Sequence, residues 1–152
     1  MIKIIAIGKM KEKAHRQIIE EFDKRLQSIH RVEMIELKPA KPSLSVDGII
    51  NDESQRILNK IDAQDYVVLL DLKGKEYTSE KFSEMMMNTL GTLGNMTFVI
   101  GGSHGVNKAV FDRANIRWKL STLTFPHQFV RFLLYEQIYR SFMIEQNHPY
   151  HK

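Results

Sequence analysis

The sequence contains no cysteine. That removes disulfides, thiolate metal sites and thiol nucleophiles, and gives no reason to place the chain in an oxidising compartment. A cytoplasmic protein is expected. Long apolar runs are missing as well: the opening Met1 to Gly8 is apolar but too short for a signal peptide, and no stretch approaches a membrane span. Proline is scarce, with four in 152 residues, and only Lys38-Pro39-Ala40-Lys41-Pro42 brings two close enough to suggest a hinge. No linker or repeat divides the chain elsewhere. Residues 1–152 are therefore expected to form one domain, long enough to bury a core without metals or crosslinks.

Charge is present in a modest net amount, +4, but it is unevenly placed. Residues 1–42 carry ten Lys or Arg against six acids and residues 103–152 carry seven against three, so the middle is net acidic. Two separated basic regions that converge in the fold, or across a dimer, would suit a polyanion such as RNA. Many chains of similar charge bind no nucleic acid, so charge alone does not decide it.

Short β-branched runs alternate with longer helical patterns, which predicts parallel βαβ units. The strands are IKIIAI (2–7), VEMIEL (32–37), YVVLLDL (66–72), MTFVI (96–100) and a weaker RWKLS (117–121). Helices are predicted over Ala14 to Ile29, Val46 to Ile61, Ser79 to Leu93, Asn107 to Ala114 and His127 to Gln146. The last is apolar around most of its circumference, which predicts burial on two sides: one against the sheet, the other against a second subunit in a twofold contact that would include Ile138 and Phe142. Cover by the chain's own segments is the alternative. Within that helix Glu136 and Arg140 have the spacing of an ion pair.

In open parallel sheets ligands bind beyond the carboxyl ends of the strands. Gly8-Lys9-Met10-Lys11 after the first strand lacks the glycine spacing of a dinucleotide fingerprint, which argues against a nucleotide-binding oxidoreductase. Gly101-Gly102-Ser103-His104-Gly105 is either a loop that lets a ligand approach its backbone or a plain strand-to-helix turn. Ser121-Thr122-Leu123-Thr124-Phe125-Pro126 offers hydroxyls and backbone groups with Leu123 and Phe125 as an apolar wall. Leu70-Asp71-Leu72-Lys73-Gly74-Lys75 supplies a third wall, with Asp71 read as a turn cap rather than a ligand. His15 and His30 read as surface residues and Met85-Met86-Met87 as core packing. The terminal Asn147-His148-Pro149-Tyr150-His151-Lys152 is either frayed or a compact set of proton-transfer, stacking and phosphate-contacting groups.

LLDLKGK (69–75), VIGGSHG (99–105), LSTLTFPHQFVR (120–131), EQIYR (136–140) and the terminal NHPYHK resemble the bacterial large-subunit rRNA pseudouridine N3-methyltransferases of the SPOUT superfamily, over essentially the whole chain. The resemblance implies a single-domain α/β knot, a Rossmann-like parallel sheet with a C-terminal trefoil knot, itself a rare exception to unknotted topology. It implies S-adenosylmethionine bent in the knot and contacted by Leu70, Gly101, Ser121, Thr122, Leu123, Thr124, Phe125 and Pro126. It further implies a homodimer whose crevice takes residues from both subunits, with ribosomal RNA as substrate and N3-methylpseudouridine as product. No metal is called for. The chemistry needs alignment of the methyl with N3 and loss of the N3 proton. The candidates are His151, or in second place His127, as base, Tyr150 stacking on the base, and Arg131 orienting RNA. Ser103 and His104 vary among relatives, and His104 is given no catalytic role. A ribosome-associated RNA-binding protein that keeps the fold without the chemistry is the competing reading.

Overall fold

The computed structural model describes residues 1–152. Its strands are β1 (Ile2–Ile7), β2 (Val32–Leu37), β3 (Tyr66–Lys75), β4 (Met96–Ile100) and β5 (Ile116–Trp118). They form one sheet in the order β2-β1-β4-β3-β5 in which every pairing is parallel. β1, β2 and β4 match the predicted spans to the residue.

β3 and β5 differ from their predicted spans for one shared reason. Leu70 and Lys75 both face Trp118, so residues 71–74 leave the ladder as a bulge before the strand resumes. Return to the ladder requires glycine at 74. A Cβ there would stand 2.6 Å from the Arg117 carbonyl carbon, closer than any side chain tolerates.

The helices are α1 (Lys13–Gln27), α2 (Val46–Leu58), α3 (Ser79–Leu93), α4 (Lys108–Arg113) and α5 (His127–Glu145). Ser45, Thr78 and Asn107 cap α2, α3 and α4 through their side-chain oxygens. α2 stops at Leu58, short of the predicted Ile61, because Lys60 and Ile61 bond three residues back to Ile57 and Leu58 and tighten the chain out of the helix.

Successive strand residues face opposite sides, and both sides are covered. Ile4, Ala6, Val68, Phe98 and Trp118 pack with Leu26 of α1, Phe82 and Met86 of α3, and Leu134, Tyr135, Ile138 and Phe142 of α5. On the other face Ile5, Val67, Leu69 and Val99 meet Ile57 of α2 and Val110 of α4. Met86 lies in the first core with Met85 and Met87 against it, as read from the sequence.

α5 lies between α1 and α3. Ser83 Oγ donates to the Ser141 carbonyl at 2.8 Å, and Ser79 Oγ donates to Gln137 Oε1 at 2.7 Å. Much of the apolar circumference that suggested a second subunit is therefore covered from within. Ile138 and Phe142 are core residues, not surface anchors. His15 and His30 are not plain surface positions either. His15 packs on Phe129 and Phe132, and His30 stacks on Phe142 with ring centroids 5.4 Å apart. Burial lowers the His30 pKa from the ordinary histidine value. No helix is long and apolar enough to cross a membrane.

Candidate active site

The carboxyl ends of β3 and β4 open into a crevice of about 460 Å³, within the range of small-molecule sites. Three segments meet there. The end of β3 contributes Leu69 and Leu70 with Asp71 to Lys73 of the bulge; the glycine loop contributes Gly101 to Gly105; the segment before α5 contributes Thr124 and Phe125. Ile100, Val106, Phe111 and Val130 complete an apolar lining, and His127 stands at the edge.

Leu70, Gly101, Thr124 and Phe125, all predicted for the cofactor, are thus brought together. Phe125 also walls a second cavity of about 210 Å³ lined by Ser121, Leu120, Trp118 and Tyr77. Thr122, Leu123 and Pro126 line neither, and Leu123 is 65% exposed. The short turn is closed by Leu123 N–H donating to Ser121 Oγ at 3.0 Å.

Asp71 caps its turn, as predicted: its Oδ1 accepts from Lys73 N–H at 3.1 Å, and Arg117 lies 3.4 Å from Oδ2. The glycine loop rests on α2. Asn107 N–H donates to Ser54 Oγ at 2.9 Å, and Glu53, 5% exposed, accepts from Ala40 N–H at 3.0 Å while lying directly under Gly102. A Cβ at 102 would collide with Glu53 Oε1, so a side chain there displaces the Glu53 carboxylate that holds Ala40 N–H, whereas a Cβ at 101 would press on Val106 Cγ1 at 3.0 Å. Glu53 was not singled out in the sequence because one acid among Asp47, Asp52 and Glu53 reads as a solvated helix face.

Of the residues expected to act on the substrate, His127 lines the crevice, and Arg131, Tyr150 and His151 lie elsewhere. Arg131 does not point toward a neighbouring crevice: it is 4% exposed, its guanidinium donating to Glu36 Oε2 at 2.9 Å and to the carbonyls of Ile7 and Gly8 at 2.8 Å. Burial lowers its pKa, opposed by the charge of Glu36. In this chain Arg131 fastens the end of β1 to β2.

The tail is folded back rather than frayed. Tyr150 OH donates to Glu136 Oε1 at 2.9 Å, with its ring edge-on to Tyr139 and under the Arg140 guanidinium. Glu136 also holds Arg140 at 2.6 Å, the ion pair predicted from spacing. His151 bridges Arg140 at 3.0 Å through Nδ1 and Glu80 at 2.8 Å through Nε2. Arginine only donates, so Nδ1 must accept and Nε2–H must donate to Glu80. That bond holds the Glu80 carboxyl below the usual carboxylate range. Neither Tyr150 nor His151 lines the crevice of its own chain. No group of three His, Cys, Asp or Glu side chains is placed to hold a metal ion.

The crevice would suit S-adenosylmethionine by its donor set: apolar walls for the adenine and the carbon arms of the sulfonium, backbone amides and carbonyls on two loops, and the carboxylate of Asp71 on the lining. A strand-end crevice built from a glycine loop and a pre-helical loop on a parallel α/β sheet defines the small-ligand site of an α/β ligand-binding protein. Over residues 1–151 the chain matches the family model described as a predicted SPOUT methyltransferase, and it belongs to that family. It is 46% identical to the ribosomal RNA large subunit methyltransferase H of Streptococcus sanguinis, covering 99% of each chain. It is 45% identical to that of Desulfitobacterium hafniense, covering 99% of this chain and 98% of the relative, and 44% identical to that of Clostridium acetobutylicum, covering 99% of each.

Proposed function

We propose that this chain transfers the methyl group of S-adenosylmethionine to N3 of a pseudouridine in large-subunit ribosomal RNA, as a homodimer in the cytoplasm. The observation that carries the reading is the meeting of Leu70, Gly101, Thr124 and Phe125 on one crevice in a chain of the SPOUT methyltransferase family. The names of the relatives, all large-subunit rRNA methyltransferases, support the substrate class.

When bound, S-adenosylmethionine would supply an electrophilic methyl on its sulfonium sulfur, which N3 would take as the S–C bond breaks to leave a neutral thioether, with the N3 proton passing to a base of the protein. The chain's part is to bind, align and take the proton. Leu70, Ile100, Val106 and Phe125 exclude water, and loops 101–105 and 121–126 offer backbone donors and acceptors. Of the two candidate bases, His127 already stands at the crevice. His151 has both ring nitrogens engaged and reaches a substrate only after the tail leaves Glu80 and Arg140. Its place in the proposal, with Tyr150 stacking on the target base, is across the dimer. Arg131 serves as a positioning residue that holds the ends of β1 and β2.

Phe129 in the first turn of α5 is 41% exposed beside Phe132 and His15, with Ile18 of α1 exposed nearby. That apolar patch supports a twofold contact between copies. The knot belongs to the same proposal, and the return of α5 to the middle of its helical layer is compatible with it. Labelled S-adenosylmethionine incubated with ribosomes should mark one pseudouridine of the large-subunit RNA. Cofactor binding with no transfer to any ribosomal particle would instead identify a non-catalytic RNA-binding protein of the same fold.

A further inference from the structure

At the end of the sheet where the strands begin, positive charge is matched. Lys3 lies 2.8 Å from Asp62 and 2.6 Å from Asp65, Arg31 faces Glu33, and the Arg113 guanidinium donates to the carbonyls of Asp62, Ala63 and Asp65. The opposite end differs. Lys9, Lys11 and Lys13 follow β1, and Lys38 and Lys41 follow β2; all five are exposed, and none makes an ion pair or a side-chain hydrogen bond. Glu12 is the one acid within residues 8–13 and 38–43.

The two lysine-bearing segments are held in place. Gly8 N–H donates to the Leu37 carbonyl at 2.7 Å, Met10 N–H to Glu36 Oε2 at 2.6 Å, and Arg56 to the Lys38 carbonyl at 2.7 Å. Met10 and Ala40 are buried, so the lysines stand outward around inward-turned apolar side chains. Glu53, which receives Ala40 N–H, lies against Gly102, so this shelf adjoins the glycine loop of the crevice. Unpaired ammonium groups carried on two segments held to one another repel, and a polyanion laid across them relieves that repulsion and releases its own counterions.

We infer that Lys9, Lys11, Lys13, Lys38 and Lys41 form a phosphate-binding shelf for the RNA strand that runs up to the target nucleotide in the crevice. The inference rests on the proposed RNA substrate and names where that RNA lies. Binding here is read through charge, without sequence selection, leaving recognition of the target base to the crevice.

The test compares the wild type with a variant carrying Lys9→Gln, Lys11→Gln, Lys38→Gln and Lys41→Gln. Ribosome binding by filter retention across a salt series and S-adenosylmethionine binding by calorimetry are measured on both. Ribosome affinity at 0.1 M salt should fall at least tenfold, and the slope of log affinity against log salt should flatten by about three, at roughly 0.7–0.9 for each phosphate no longer neutralised. Cofactor affinity and melting temperature should not change. A control with Lys24→Gln, Arg31→Gln, Lys60→Gln and Lys81→Gln, all exposed and away from the shelf, should retain affinity. Unchanged affinity and slope in the shelf variant, or an equal loss in the control, overturns the inference. So does binding to anionic vesicles that disappears in the shelf variant while ribosome binding persists. Shelf-dependent ribosome binding by a wild type that transfers no methyl group would leave the shelf standing and overturn the proposed reaction.

Discussion

Replacement of Arg131 by Met should cost the protein about 3 kcal/mol of stability while leaving the crevice lining in place. The guanidinium makes three hydrogen bonds, to Glu36, Ile7 O and Gly8 O. Each bond from a charged donor is worth about 1.5–3 kcal/mol alone, but such losses do not add, and breaking a buried pair costs about 3–5 kcal/mol in all. Two features favour the low end. The Glu36 side chain is 32% exposed, so water can solvate it once the arginine is gone. Arg131 Nε is already buried without a partner, a penalty that the Met side chain removes. Urea unfolding should show a lower midpoint with an unchanged slope. Arg131→Met combined with Glu36→Gln should cost at least about 1 kcal/mol less than the sum of the single changes, since the two groups form one network. Methyl transfer should fall only as far as the disordered end of β1 disturbs the glycine loop. If stability drops by less than about 1 kcal/mol while kcat alone collapses, Arg131 acts on RNA and the positioning role is wrong.

Lys3→Met leaves the Asp65 carboxylate buried without its cation and should cost about 3–5 kcal/mol. In the wild type burial works to raise the Asp65 pKa, but the hydrogen bonds from Lys3 and Thr97 outweigh it and hold it low. The pair's contribution is thus whole above about pH 4 and fades as the pH falls through the lowered value, so melting temperatures followed into acid should converge for wild type and variant. Gly102→Ala should destabilise the protein and weaken S-adenosylmethionine binding through collision with Glu53, whereas Gly101→Val should abolish cofactor binding in a folded chain; a folded Gly101→Val protein of normal affinity would remove that residue from the site. Phe129→Asp should give a folded monomer by sedimentation, while Ile138→Asp, aimed at a fully buried side chain, should unfold the chain. Removal of residues 147–152 should leave cofactor affinity nearly normal and slow methyl transfer at least tenfold, about 1.4 kcal/mol of transition-state stabilisation, with the His151→Ala loss partly restored at higher pH if that histidine is the base; transfer at the normal rate would reduce the docked tail to a structural clasp.

The inner strands were legible because a parallel sheet covered on both faces needs near-continuous apolar runs, which IKIIAI and MTFVI supply; VEMIEL, with two glutamates, is the partly exposed edge strand. The crevice was legible for a related reason. Ligands of open parallel sheets bind beyond the carboxyl ends of the strands, so the loops at 70–75, 101–105 and 121–126 could be read as walls of one crevice, while the individual contacts Leu70 and Gly101 came from the resemblance. What failed has a common source in α5. A helix apolar on every side states that it is enclosed and leaves open by what, and the answer is α1 and α3 of the same chain. Arg131 finds Glu36 across 95 residues, His15 and His30 find aromatic rings on α5, and the tail that leaves α5 finds Glu80 on α3. Each is a contact between the last helix and segments far earlier in sequence, and no local period or spacing encodes such a pair. The same placement gives α5 its functional weight. Its first turn carries His127 and Val130 at the crevice, its middle clamps β1 through Arg131, and its end anchors Tyr150 and His151. A shift of α5 toward a bound partner or RNA would therefore move the crevice rim, the root of the lysine shelf and the tail together, because all three are tied to one rigid element.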